Sequence, residues 1–378
     1  MEKKDRFDTS LSDSQATAVV PVKPDKFNYP AYHDYEQMLL ERCRNFRESE
    51  SGVLVYRRMR VAEVFSYGCA DMRSSLEWQL GALEKSMDYM ADVPNFLEPW
   101  YGIGTIASAF GRDYVWHPNQ APAVSKKIPD LREALDMGYI PVHKTDIGKH
   151  TLEMAEYFMD MTGGRIPVSL SDMQSPLNVA ENIVDINSLM TDFLLNPEDV
   201  RQLFNIISDL TIEFNNIQKG LIGDSLVFPG HGFASSRVFK GLGMSDDLLV
   251  MLPDDLYRDI ALPAFEKVTA PFEFSAFHSC GNWSERINLV KEIDALNMID
   301  AAFSKATDPD PNPAEIFSEC FTGTGITVNA RIVGDPDIIG RTVKKLWKPG
   351  MKLIVVTYCQ TPEEQERAYN IIHNICNQ

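Results

Sequence analysis

The chain has 378 residues, 36 of them basic and 54 acidic, for a formal charge of −18, with 44% apolar and 24% charged side chains. This is ordinary globular composition, long enough for a large core, and a pI near 4.8 without a Lys/Arg-rich run argues against nucleic-acid and anionic-membrane surfaces. No apolar run approaches the ~18–20 residues that span a bilayer, the opening MEKKDRFDTSLSDSQ lacks the apolar stretch of a signal peptide, and six cysteines are too few for a disulfide scaffold, so a cytoplasmic protein with reduced thiols is expected.

Residues 1–30 hold Pro21, Pro24 and Pro30 among polar side chains with no helical period, and are expected to form a loose arm. Helical spacing begins near Asp34, where Met38, Leu39, Cys43 and Phe46 recur, and resumes over Met72–Met90. Residues 31–90 therefore read as an N-terminal helical extension. From 91 to 378 short apolar runs alternate with longer amphipathic segments. The strand-like runs are NFLEPWYGIG, IPVSLSD, SLVFPG, FEFSAFHSC, MIDAAFS, ITVNARI and KLIVVTYC. Between them lie helix starts such as Asn196-Pro197, Asp335-Pro336 and Thr361-Pro362, each a cap residue, then proline, then acids in the first turn. Strand and helix alternating this often predict a parallel α/β sheet. No G-x-G-x-x-G follows the first runs, which removes the best sign of a dinucleotide-binding sheet. With no repeat and no internal linker, a single (β/α)8 TIM barrel with an N-terminal helical extension is favoured.

In such a barrel the reactive groups sit where strands end. His278 and Cys280 close one run, followed by Gly281-Asn282, and Cys359 closes the last. His-x-Cys on a strand directs both side chains to one face, because the side-chain period is two. Imidazole with two thiolates suits Zn2+, and three protein ligands with an open fourth position describe a catalytic site. A core histidine with two buried thiols is the alternative.

FHSCGN followed, about two βα units later, by VVTYCQTPEEQERAYNII resembles the uroporphyrinogen decarboxylase superfamily, and within it the zinc methyltransferase branch typified by methylcobamide:coenzyme M methyltransferases. Those enzymes carry His-x-Cys after the fifth barrel strand and a further Cys after the eighth. GLGMSDDLLVMLPDDLYRDIALPAFEKV is similar to the segment before that strand, and ITVNARIVGDPDIIGRTVKKLW to the Gly-Asn-Ile-Asp-Pro stretch of the seventh, with Asn329, Asp335 and Pro336 as counterparts. The resemblance covers roughly residues 90–376 and is strongest from 240 onward. It implies Zn2+ held by His278, Cys280 and Cys359. It also implies methyl transfer between a small thiol or methylated substrate and a corrinoid (methylcobalamin) on a separate corrinoid-binding protein, since the chain lacks an Asp-x-His-x-x-Gly corrinoid motif. Family habit implies a homodimer, though the sequence itself fixes no oligomeric state. The methyl donor and the direction of transfer stay open.

The decarboxylase is the competing assignment. Its Arg-Gln-Ala-Gly-Arg motif is replaced by Tyr56-Arg57-Arg58-Met59-Arg60, Asn95 stands where its pyrrole-orienting Asp is expected, and SDMQSPLNVAEN lacks its Tyr. A non-catalytic binding protein with buried thiols is the reading from another class. Glu98, Trp100, Tyr101, Asp172, Gln174, His231 and Asn329 are the candidate substrate-binding residues, with packing or helix capping as their alternatives. The fourth zinc ligand falls to water, substrate, or a carboxylate such as Glu98 or Asp172. Cys43, Cys69, Cys320 and Cys376 read as structural thiols, and His33, His117, His143, His150 and His373 as surface or packing residues.

Overall fold

The computed structural model describes residues 15–116 and 121–377, so the first part of the expected arm and His117 lie outside the described residues. The runs from FEFSAFHSC onward form strands as expected, whereas NFLEPWYGIG, IPVSLSD and SLVFPG give only isolated bridges, as at Leu97, Val168 and Leu226, and four further strands lie outside the expected runs. In chain order the strands are β1 (Gly52–Arg57), a small antiparallel hairpin of β2 (Tyr114–Val115) and β3 (Ala123–Val124), then β4 (Leu242–Ser245), β5 (Ser275–His278), β6 (Leu296–Ala302), β7 (Thr327–Ile332) and β8 (Lys352–Thr357). The hairpin apart, they form one parallel sheet in the order β1-β8-β7-β6-β5-β4.

The edges of this sheet, β1 and β4, are joined through short extended pieces. Asp92 N donates to Val55 O at 2.7 Å, Leu97 bridges Val168, Val168 bridges Leu226, and Gly243 N donates to Pro229 O at 3.0 Å. Helices such as Pro197–Ile222, Pro336–Leu346 and Pro362–Cys376 lie on the outside, and Asp335 and Thr361 cap the last two through their side chains, as their sequences predict. The result is the TIM-barrel-like α/β architecture expected from the alternation of elements.

Two boundaries are corrected. The helical extension expected over 31–90 is interrupted: helices Tyr29–Glu48 and Met72–Ser86 flank β1, which pairs with β8 along its whole length. The barrel therefore begins near residue 52 rather than 91. The arm is docked where it is described. Ala16 bridges Arg60, Thr17 N donates to Arg60 O at 2.7 Å, and Val22 N donates to Glu77 O at 2.8 Å. Gly81 permits this, since a Cβ there would sit 2.0 Å from Val20 O.

The buried strands feed two apolar layers. Leu54, Tyr56, Ala276, Met298, Ile354, Val356 and Tyr358 fill the inside of the barrel. Val55, Phe277, Ile299, Val328, Ala330, Leu353 and Val355 face the helices. Alternate residues thus point to opposite layers, and that parity decides which strand-end residues reach the mouth.

Candidate metal centre

His278 and Cys280 share parity with the inward Ala276, so both point into the barrel mouth. There they meet Asp247, two residues past β4, and the three ligand atoms lie within 4.8 Å of one another. The imidazole Nε2 is 3.4 Å from Cys280 Sγ and 3.8 Å from Asp247 Oδ1. Cys280 N–H donates to that same oxygen at 2.6 Å, fixing the carboxylate. Nitrogen, sulfur and oxygen donors converging in this way are a zinc-type set.

Behind His278 the next two strands supply register-matched partners: His278 pairs with Asp300, and Asp300 with Asn329. Nδ1 of His278 lies 2.6 Å from Asp300 Oδ2. Arg331 Nε donates to the same oxygen at 2.8 Å, while Asn329 Nδ2 donates to Oδ1. Burial works against the Asp300 charge, but Arg331, His278 and Asn329 outweigh it and hold the carboxyl below its ordinary range. Burial also works against a charged His278, yet the hydrogen bonds to Asp300 and Cys280 raise it to about 10. A carboxylate on Nδ1 leaves Nε2 as the atom offered to a metal.

The opposite wall of the mouth, a cavity of about 450 Å3, holds Trp100, Asp172, Gln174 and His231. Trp100 Nε1 donates to Asp172 Oδ2 at 3.0 Å, and the His231 ring stacks on Trp100 at 6.2 Å. A chain of amides ties this wall to the donor group. Gln174 Nε2 donates to Asp172 Oδ1 at 2.9 Å, and Asn178 Nδ2 donates both to Gln174 Oε1 at 2.9 Å and to Asp247 Oδ2 at 3.1 Å. Glu98 lies behind His231, 3.0 Å from its Nδ1 and 3.6 Å from an Arg58 nitrogen. Burial would raise the Glu98 carboxyl, but Arg58 and His231 bring it down to about 2.

Three expected site residues stand elsewhere. Cys359 has the parity of Leu353 and Val355, so its thiol joins the outer apolar layer rather than the donor group. Arg57 Nε donates to its carbonyl at 2.7 Å, and burial pushes its thiol up to about 11. Tyr101 packs against Tyr114, Trp116 and His150 instead of lining the cavity. Asn329 is fully buried and holds Asp300 rather than a substrate. His373, read as a surface or packing residue, lies 2.8 Å from buried Asp92.

Sequence reasoning missed Asp247, Asp300, Arg58, Arg60 and Arg331, all at the mouth. Asp300 left a signal, being a lone acid within the apolar run MIDAAFS. Asp247 read only as part of a turn, because nothing in Ser245-Asp246-Asp247 tells which acid turns inward. Asp246 bonds Ser175 and Tyr257 at 2.8 and 2.7 Å, which leaves Asp247 for the mouth.

Residues 97–221 match the family model for uroporphyrinogen decarboxylase (URO-D). That match falls on the part of the chain where the resemblance read from its residues is faintest. No curated protein matches the chain. Among solved structures, a methyltransferase from Methanosarcina mazei has a TM-score of 0.62 at 16% identity, covering 90% of this chain and 99% of that one. At that identity the likeness is one of fold.

Proposed function

We propose that the chain is a zinc-dependent methyltransferase, moving a methyl group between a small thiol or methylated substrate in the barrel mouth and a corrinoid carried by a partner protein. The observation that carries this reading is the Asp247–His278–Cys280 donor group, backed by Asp300 on the far nitrogen of the imidazole. A zinc held by these residues would supply Lewis acidity, lowering the pKa of a thiol or polarising a methyl-bearing heteroatom. One thiolate and one carboxylate cancel the charge of the ion, the balance that keeps a bound thiolate nucleophilic.

The chain's own groups have definite parts in this scheme. Asp300 orients the imidazole, and Arg331 with Asn329 keeps Asp300 ionised. Cys280 N–H and Asn178 grip the two oxygens of Asp247. Trp100 and His231 offer a flat aromatic wall to a substrate lying across from the donor group. A mouth of about 450 Å3 is of a size for a small molecule, which favours a methyl carrier outside this chain. The likeness in fold to the Methanosarcina mazei methyltransferase supports the same reading.

A second reading, tetrapyrrole decarboxylation, draws on Arg58, Arg60 and Arg331 at the mouth. It ranks lower because Arg58 and Arg331 are already engaged by Glu98 and Asp300. The two separate in one experiment. Protein purified without oxygen is assayed for bound zinc and for demethylation of free methylcobalamin by thiols, and in parallel for coproporphyrinogen formed from uroporphyrinogen. Stoichiometric zinc that is lost in Cys280→Ser, together with methyl transfer, is the expected result. Absence of zinc with intact thiols, or coproporphyrinogen formation, would overturn it.

A further inference from the structure

The barrel has a second cavity at its other end, among the strand beginnings. It measures about 490 Å3, as roomy as the mouth. Its floor belongs to the inner core, where Phe46, Phe239 and Met298 are buried. Its walls carry Arg47, Lys240 and Lys352, with Glu273 as the carboxylate among the lining residues. In a chain of charge −18 this is a local excess of positive charge.

Lys352 opens β8 and is only 8% exposed. Its ammonium lies 4.9 Å from the Phe46 ring centre and donates to Arg47 O at 3.0 Å. An ammonium has three donors, so capacity remains. Burial and the neighbouring Arg47 charge hold Lys352 below the ordinary lysine range, a penalty that a bound anion would relieve. Across the cavity Asn297 Nδ2 donates to Lys240 O at 3.2 Å, which fixes the amide and leaves Oδ1 buried without a partner among the described residues. Glu273 sits at φ 71, an uncommon conformation for a side chain of its size, and leans toward Lys240 at 3.6 Å.

We infer that this lower cavity binds a small organic anion with an apolar body, such as an aromatic carboxylate, its acid group between Lys352 and Lys240 and its body against Phe46 and Phe239. Asn297 Oδ1 accepts from a hydroxyl or amide of a ligand that carries one. The site is independent of the metal reading. The lower end of such barrels ordinarily serves stability rather than chemistry. It therefore serves binding of an effector rather than a second reaction.

Calorimetric titration of the full chain tests this with sodium benzoate, and with inorganic phosphate as an anion lacking an apolar body. Benzoate should bind saturably and phosphate far more weakly. Lys240→Glu, at a half-exposed position, should weaken benzoate by about tenfold or more, and Lys352→Met should do the same, with the melting temperature of each variant measured alongside to show that it is folded. Failure of benzoate to bind, phosphate binding as tightly as benzoate, or binding untouched by Lys240→Glu (as for benzoate held in the mouth) would each overturn the assignment.

Discussion

Replacing Asp300 by Asn removes one charge and keeps the shape, which makes it the sharpest probe of the centre. Asp300 is 1% exposed and accepts from His278 Nδ1, Arg331 Nε and Asn329 Nδ2. An amide can face its oxygen toward His278 and Arg331, setting its NH2 against that of Asn329, or the reverse. Either way a buried donor loses its acceptor, at about 1–3 kcal/mol. The unpaired guanidinium of Arg331 brings the total to roughly 3–5 kcal/mol of folding stability. Zinc affinity should fall about 10–100-fold, or ~1.4–2.8 kcal/mol, because the imidazole loses its orienting carboxylate. Urea unfolding reads the first effect and competition with a chromophoric chelator the second. Arg331→Met added to Asp300→Asn removes the stranded charge, so stability should largely return while zinc affinity stays low. Affinity unchanged in the single variant, or recovered along with stability in the double, would refute the account of His278 given above.

Further expectations concern the ligands, the acid limb of stability and the arm. Measured side by side, Cys280→Ser and Asp247→Ala should lose zinc while Cys359→Ser retains it; loss in Cys359→Ser would mean that the end of β8 turns inward on binding metal, breaking the Arg57 bond to its carbonyl. Asp92 accepts from Val55 N, Arg42, Tyr369 and His373 at 2.7–2.9 Å. Burial opposes its charge, but these partners keep its pKa below the ordinary range. Its contribution is therefore present above the unfolded value of ~3.9 and is lost as pH falls through the lower folded one. Asp92→Asn should cost about 3–5 kcal/mol near neutrality and flatten urea midpoints plotted against pH in that acid window; an unchanged slope there would contradict the assignment. Gly81→Ala drives a methyl against Val20 O and should cost about 1–3 kcal/mol, read as a lower urea midpoint and faster proteolysis near residues 15–22; equal cleavage rates would count against a docked arm.

The alternation of strands and helices was legible because it rests on local chemistry, on apolar runs and on caps such as Asp335 and Thr361. β1 was not, since GVLVYR is a short apolar run between two good helices and only its pairing with β8 makes it a strand. His278 and Cys280 could be placed on one face because their spacing alone decides it. Cys359 could not be phased in the same way. KLIVVTYC is buried on both faces, so it lacks the polar alternation that would tell inward from outward positions. Tyr358 takes the inward place and the thiol goes the other way. Asp247 was hidden by the same kind of ambiguity, one of two adjacent acids whose directions only the packing of Ser175 and Tyr257 separates.

The register match of His278, Asp300 and Asn329 across three neighbouring strands divides the centre into a fast half and a slow half. Amides within β5, β6 and β7 are bonded on both sides and open only with the barrel itself, whereas Asp247 and Cys280 sit just past strand ends, where local opening is cheap. A chelator would therefore strip the centre from the sulfur and carboxylate side, leaving the imidazole still aimed. The emptied protein should take metal back without refolding, with hydrogen exchange at Asp300 and Asn329 the same before and after.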